Sequence, residues 1–401
     1  MTLANGRPYL AIPGPSVIPD AVLQAMHRAA PNIYEGALPE MVHGMVPDLK
    51  YVAQTDGHVA IYICNGHGMW EAVLANTVAP GEKVLVPASG RFGHGWAETA
   101  EAMGIEVDLI DHDRHEAIDP ERVRAALEAD KAHEIKAVLA VHVDTSTSVR
   151  SDVAALRAVL DDLNHPALLM ADCIASLGCD EFRMDAWGVD VMITASQKGL
   201  MTPPGLGFAF FNDRAAEVRR GMARVSGYWD WTKRAAPEMF YQFFNGTAPT
   251  HHLYGLRVAL DMIREEGIEA VWQRHADLAG AIWAAVEHWG AEGPLTLNIP
   301  DRALRSHAVT SLRLGAPHGA RLRAWTDEKM AVTLGIGLGM SEPDDPGGTG
   351  FFRFGHMGHV NGAMILGLLG TVEAGLSAME IPHRKGGVTA AAEHLSGCFG
   401  A

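Results

Sequence analysis

Short apolar runs separated by small-residue turns and helix-period stretches dominate the first half of the chain. Val59 to Ile63, Lys83 to Val86, Ile105 to Ile110, Ala137 to Val141 and Ala167 to Met170 are apolar and too short to be helices, so they predict strands. Between them, Met69 to Val78, Pro120 to Ala129 and Val153 to Leu163 have the spacing of amphipathic helices, and Ser89-Gly90-Arg91-Phe92-Gly93 opens another. Strand–helix alternation with apolar strands predicts an α/β fold whose large domain is a mostly parallel central sheet with helices on both faces. Ligands in such sheets sit at the strands' carboxyl ends.

Beyond Phe211 the pattern changes. Gly227 to Phe244 is irregular and aromatic-rich, with Tyr228, Trp229, Trp231, Phe240, Tyr241, Phe243 and Phe244. That is more aromatic surface than a monomer normally exposes, and it predicts a subunit interface, with a fold-back inside one chain as the other option. Helices are expected over His251 to Gly267 and Glu269 to Trp289. A compact C-terminal portion follows, with apolar segments at Val309 to Leu314 and Phe351 to Phe354 and a helix over Ala363 to Leu376. At the other end, Ile12-Pro13-Gly14-Pro15 is a rigid turn that suits an arm better than a core strand. The expected division is an arm at 1–20, a large domain at 21–255, and a linking helix with a smaller C-terminal α/β domain at 256–401. Ser341 to Gly350, rich in Pro, Gly and Asp, reads as one mobile loop.

Lys198 interrupts this regularity. The apolar run Val189 to Thr194 drops into Ala195-Ser196-Gln197, then Lys198-Gly199, Pro203-Pro204-Gly205 and a second apolar run, Leu206 to Phe211. Desolvating an ammonium costs several kcal/mol unless it is paired or deprotonated. A lysine on a loop between two buried strands therefore either snorkels to solvent or acts as an amine nucleophile that condenses with an aldehyde.

Charge and cysteine content narrow the partners. The chain has 48 acidic against 32 basic residues, a formal charge of -16, and no basic run, so nucleic acid and anionic membrane are poor partners. No apolar segment approaches the ~20 residues of a membrane span, and the start predicts no signal peptide, which together with the cysteines points to a cytoplasmic protein. Cys64, Cys173, Cys179 and Cys398 show no CxxC spacing and read as reduced thiols. His112, Asp113, His115 and Glu116 read as a solvated loop without a metal, and His356 as structural. Leu334 to Gly339 has a glycine-rich spacing but no strand–turn–helix context, and is not read as a nucleotide site.

Four loops carry candidate chemistry. Asn65-Gly66-His67-Gly68 precedes a helix whose free N–H groups and dipole suit a phosphate, although a plain turn fits equally. Asp172 follows the apolar run Leu168 to Met170 as a buried acid, a helix cap or half of an ion pair. His142 to Thr147 is a hydroxyl-rich turn, and Lys198 is the fourth. One cofactor uses all of them: pyridoxal 5'-phosphate needs a lysine for its aldehyde, an acid for its pyridine nitrogen, an anion nest and a flat group such as Phe92 on its ring.

The motifs PGP, NGHGMWEA, SGRFG, HVDTSTSV, ADCIASLG, ASQKGLMTPPG, THHLYGLRVAL and FRFGHMG occur in this order. The chain resembles the class V aminotransferases of pyridoxal-phosphate fold type I, in the alanine/serine/aspartate–glyoxylate branch, over residues 10 to 380. The resemblance implies that Lys198 is the Schiff-base lysine and Asp172 the partner of the pyridine nitrogen. It implies that Ile174 packs on the ring, that Thr145 bonds near the ring hydroxyl, and that Gly66, His67 and Gln197 hold the phosphate. Thr247 matches a phosphate contact from the neighbouring subunit of a homodimer, Arg353 a carboxylate-binding arginine, and Tyr34 lies in the N-terminal substrate-binding segment. Ile33-Tyr34-Glu35-Gly36 stands where Asp-His-Arg is frequent, and Phe92 and Phe244 stand where Tyr or Trp is frequent. The amino donor therefore stays open, a pyridoxamine–pyruvate type included. Among other reactions on the same cofactor, a desulfurase needs a cysteine on a mobile loop, and Ser341 to Gly350 has none; a non-catalytic scaffold would have no use for Lys198 and Asp172.

Overall fold

The computed structural model describes residues 2–399; Met1, Gly400 and Ala401, at the ends of the expected first and last segments, lie outside the described residues. In chain order the strands are β1 Tyr9–Ala11, β2 His58–Tyr62, β3 Lys83–Ala88, β4 Glu106–Asp111, β5 Ile135–Val141, the hairpin β6 Val143–Asp144 and β7 Val149–Arg150, β8 Leu168–Asp172, β9 Val191–Ala195, β10 Gly207–Phe211, β11 Thr296–Leu297, β12 Val309–Arg313, β13 Val332–Ile336 and β14 Phe351–Gly355. A seven-stranded sheet has the order β2-β10-β9-β8-β5-β3-β4. Only β10 runs against the rest, since both β2 and β9 pair with it antiparallel while the other pairs are parallel.

The two-residue period of a strand explains how helices cover both faces. Val138 and Ala140 of β5 join one core with Val42, Leu49, Leu256 and Leu260. Their neighbours Ala137, Leu139 and Val141 face the opposite core, with Trp70, Val73 and Trp96. Among the helices, α1 Asp20–Met26 and α2 Ala37–Ala53 lie on the first face, and α3 Gly66–Thr77 and α4 Arg91–Ala102 on the second. The sheet ends at β4, whose exposed Glu106 and Asp108 share Lys83; charges at an edge discourage further pairing.

A five-stranded sheet, β1-β13-β14-β12-β11, has its own core against the long helix Ile268–Gly290 and the helix Gly362–Ala378. The arm contributes to it: β1 lies parallel to β13, with Tyr9 opposite Val332 and Ala11 opposite Leu334, and the Pro-Gly-Pro turn leaves from its end. Leu334-Gly335-Ile336 is thus strand rather than loop.

Three expectations need correction. The aromatic span folds back inside the chain: Trp231 stacks on Phe211 at 4.1 Å, and Phe243 and Phe244 are buried. Arg234, 1% exposed, fastens it by donating to the carbonyls of Ile61, Tyr228 and Phe243 between the rings of Tyr62 and Tyr228. Hydrogen bonds to three carbonyls and two π faces satisfy a buried guanidinium without a carboxylate. Ser341 to Gly350 is held by the buried Asp345, whose carboxylate accepts from Thr349 N, Thr349 Oγ1 and Gly350 N. His112 is buried rather than solvated, its Nε2 accepting from Asp119 N at 3.0 Å.

Candidate active site

The sequence candidates gather where parallel strands stop. Asp172 is the last residue of β8, between β5 and β9 at the middle of the sheet. Its Oδ1 accepts from Ile174 N at 2.8 Å and its Oδ2 from Trp70 Nε1 at 2.7 Å. Burial pushes this acid up to about 6 even though both bonds favour its anion. Lys198 lies just past β9 in a turn closed by Ser196 Oγ on Pro203 O (2.7 Å) and Thr202 Oγ1 on Ser196 O (3.1 Å). Its Nζ donates to Pro13 O. Burial pushes the amine down to about 8, the charge of Arg353 acts in the same direction, and Asp172 opposes.

The walls follow from two helix starts. At α3, Asn65 caps Gly68 N, and Gly66 admits Ile174, whose Cδ1 would stand 2.5 Å from any Cβ there. At α4 the cap comes from another segment: Asp144 Oδ2 accepts from Phe92 N (2.8 Å) and Gly93 N (3.3 Å), while Ser146 Oγ accepts from Arg91 N. This fixes Phe92 with its ring edge-on to Trp70 at 6.4 Å, and Trp70 lies 4.7 Å from His67. Arg353, on β14, is buried; its Nε donates to Ile336 O (2.6 Å) and its Nη1 to Thr145 O (2.7 Å). No carboxylate lies within 4 Å of it among the described residues.

Gly66, His67, Phe92, Thr145, Asp172, Ile174, Gln197 and Lys198 all line one cavity of about 290 Å³. Arg353 stands behind it, joined through Thr145 O. Tyr34, 86% exposed, and Thr247, also exposed, do not reach it from within the chain. A wider groove of about 770 Å³ meets the cavity at His67, Trp70 and Phe92 and leads to the surface. Sequence reasoning missed Trp70 and Asp144. The signal for Asp144 was available, since an acid ending an apolar strand raises the question already asked of Asp172. An amine lowered toward neutrality and an acid raised toward it, in one desolvated cavity, can condense with a carbonyl compound and relay protons.

The fold is that of the fold type I enzymes. The family model Aminotransferase class-V matches residues 51–343, and the chain belongs to that family. It is 35% identical over 404 residues to a serine–glyoxylate aminotransferase of Methylorubrum extorquens, covering 98% of this chain and 97% of the relative. The structure superposes on ureidoglycine–glyoxylate aminotransferase from Bacillus subtilis with a TM-score of 0.88 at 25% identity, over 98% of this chain and 99% of the other. It also superposes on pyridoxamine–pyruvate aminotransferase from Mesorhizobium loti at 0.87 and 25%, over 99% and 100%. The protein is an aminotransferase.

Proposed function

We propose that the chain is a pyridoxal-phosphate-dependent transaminase that moves an amino group from a small amino acid, of the alanine, serine or aspartate type, to a 2-oxo acid, foremost glyoxylate. The observation that carries this is the pair Lys198 and Asp172, lining one cavity with their pKa values drawn together. The cavity also suits the cofactor in detail. Gln197 Oε1 is buried without a partner, and an amide can rotate to offer its N–H₂ to an anion. The first N–H groups of α3 at Gly66 and His67 open into the same space. Ile174 and Phe92 supply apolar surface for a ring, and Thr145 a hydroxyl.

When bound, pyridoxal phosphate supplies an aldehyde and a protonated ring that accepts the electron pair left on the donor's α-carbon. Asp172 keeps that ring nitrogen protonated, which is why the acid must be ionised beside it. Lys198 would hold the cofactor by its aldehyde and, as a free amine, would serve as base and acid for the donor's α-proton. Arg353 grips the substrate carboxylate, its two carbonyl anchors holding the guanidinium plane still.

The relatives differ in donor, with serine, ureidoglycine or pyridoxamine in their names, and the last with pyruvate in place of glyoxylate. Pyridoxamine with pyruvate is the second reading, favoured by Tyr34 in the N-terminal segment and by the 0.87 superposition. A desulfurase is disfavoured because burial pushes the thiols of Cys64 and Cys179 up to about 12 and that of Cys173 well above the usual range. Two subunits complete each site, a reading supported by the outward placement of Tyr34 and Thr247. A large and a smaller C-terminal domain, as in the division into 1–20, 21–255 and 256–401, are supported in outline by the two separate sheets, with Leu256 to Trp272 still packing in the large-domain core and β1 of the arm joining the smaller sheet; a cytoplasmic setting is supported by four unpaired cysteines.

A donor-by-acceptor panel on the purified protein tests the substrate class. Lys198→Ala is expected to abolish turnover and the borohydride-reducible cofactor adduct while leaving the fold intact; an adduct on a different lysine in that variant would sink the assignment.

A further inference from the structure

Between the five-stranded sheet and the lysine loop runs the turn that follows β1. On its sheet side a Cβ at Gly335 would stand 2.6 Å from Pro13 Cδ, and one at Gly355 would stand 2.6 Å from Pro13 N. On its other side Ser16 N donates to Gln197 O and Ser16 Oγ to Lys198 O, each at 2.8 Å. Gly14 and Pro15 line the cavity, and the Lys198 amine donates to Pro13 O. Gly14 has a φ of +96°, and a Cβ on it would stand 2.6 Å from both Cδ and Cε of Lys198. The backbone of the arm is therefore wedged against the side chain that does the chemistry, with glycine at each point of closest approach.

We propose that this turn is a positioning element for the reaction, in which the Pro13 carbonyl is the seat of the free Lys198 amine and Gly14 is the residue that leaves room for it. The proposal rests on the transaminase reading of Lys198. A neutral amine has two N–H donors and one lone pair, and rotation about the Cε–Nζ bond would point that lone pair anywhere. Donating one N–H to a fixed carbonyl restricts that rotation and keeps the lone pair and the second N–H turned away from the carbonyl. So held, the amine would accept the proton from the donor's α-carbon and give the same proton up again, ending the transfer neutral. Orientation of this kind is worth a large factor in rate, because a reacting pair misaligned by an ångström loses up to about 10²-fold. Pro13 acts through its main chain and Gly14 through its lack of a side chain, so both are positioning residues rather than proton carriers.

Gly14→Ala places a methyl group where the lysine stem runs. The flexible end of Lys198 gives way more easily than backbone, so the amine leaves its seat. Because the positive φ also strains an alanine there, Ser16→Ala is the companion variant: it cuts the 2.8 Å bond from the arm to Lys198 O and carries no such strain. Each holoenzyme is assayed for kcat and KM and for the primary isotope effect with α-deuterated donor. Each cofactor-stripped protein is assayed for the rate at which pyridoxal phosphate becomes borohydride-trapped on Lys198. The expectation is a kcat lower by about tenfold or more for Gly14→Ala and by a smaller factor for Ser16→Ala. The isotope effect should rise and trapping should slow in both, while KM for the oxo acid stays within about twofold because Arg353 is untouched. Should Gly14→Ala fail to fold, Ser16→Ala decides alone, and an unchanged isotope effect and trapping rate in it overturn the proposal. An unaltered chain that forms no adduct on Lys198 overturns the transaminase reading and this one with it, whereas a normal adduct with variants matching the unaltered chain overturns the arm's role only.

Discussion

At the scale of single residues, the site depends on two charged groups kept buried by different means. Asp172 is held by one backbone and one indole N–H, and its pKa is nonetheless raised from 3.8 to about 6 by burial. A carboxyl whose folded pKa is raised retains a proton the unfolded chain has shed, so its contribution to stability is present below pH 3.8 and is lost as pH rises through about 6. Trp70→Phe removes the 2.7 Å bond to Oδ2, leaves a buried acceptor unpaired, and raises the pKa further. The variant is expected to lose about 1–3 kcal/mol at neutral pH, with its loss of stability on raising pH extending above the range of the unaltered protein; urea melts of the cofactor-stripped forms across pH check this. Arg353 differs in that its hydrogen bonds go to carbonyls, which satisfy geometry but not charge, and burial lowers it to about 10. Arg353→Lys keeps a cation but loses the planar fork. Its kcat/KM should fall by roughly one to two orders of magnitude for donor and acceptor alike, corresponding to about 1.5–3 kcal/mol, with the Lys198 adduct formed normally. Unchanged steady-state kinetics for both substrates would place carboxylate binding elsewhere.

At the scale of elements, α4 shows how a helix start becomes part of a site. Gly90 offers no side-chain cap, and a Cβ there would stand 2.6 Å from Asp144 Cγ. Asp144 comes from the end of β6 and covers the first N–H groups, so the position of Phe92 depends on a residue 52 positions away. Asp144→Ala is expected to destabilise the fold by about 2 kcal/mol, from loss of the cap and from N–H groups left unpaired. Thermal melts should show the loss, and the cofactor should bind more weakly because Phe92 is no longer fixed. Such a long-range cap is hard to see in a linear sequence, since a helix normally announces its start with its own Ser, Thr, Asp or Asn. Where signals are local, sequence and structure agree closely: Pro120–Ala129, with Asp119 as its cap, occupies the expected residues, and the strands around Lys198 begin and end within a few positions of expectation. The helix α2 is not legible in the sequence, because Gly44 and Pro47 break its pattern, although Val42, Met45, Leu49 and Val52 are buried on one face. Strand β13 is obscured for a similar reason: its one glycine, Gly335, makes room for Pro13 and Arg353 rather than marking a loop. In the site itself, Lys198 and Asp172 were legible because an ionisable group beside an apolar run has to be explained, whereas Trp70 looked like any core aromatic until its N–H was seen on Asp172.

At the scale of the whole molecule, the cavity lies between the two sheets: Lys198 and Asp172 come from the seven-stranded one, Arg353 from the five-stranded one, and the arm turn lies between. The buried Asp180 ties the halves together by accepting from Ser306 Oγ at 2.9 Å and His307 N at 2.8 Å, with Arg150 3.6 Å away. One chain still leaves two expected contributors outside. Tyr34 is 86% exposed, and Thr247 follows the exposed Asn245 and Gly246 on the surface. Tyr228 at 36%, Met239 at 59% and Tyr241 at 55% are large apolar groups that the folded-back aromatic span leaves to solvent, and they suit contact with a second copy better than water. If Thr247 bonds the phosphate of the neighbouring site, Thr247→Ala removes one charge-assisted bond, and cofactor affinity should fall about tenfold or more with the dimer intact in sedimentation. Hybrid dimers give the sharper test. A Lys198→Ala chain keeps its Thr247, and a Thr247→Ala chain keeps its Lys198, so neither homodimer holds a complete site. In a hybrid of the two, a shared site takes Lys198 from one chain and Thr247 from the other, and one of its two sites is whole. Mixing the variants under exchange should therefore restore activity and cofactor affinity at that site toward the unaltered values. Were Thr247 to serve its own chain, every hybrid site would lack one of the two residues and mixing would restore nothing.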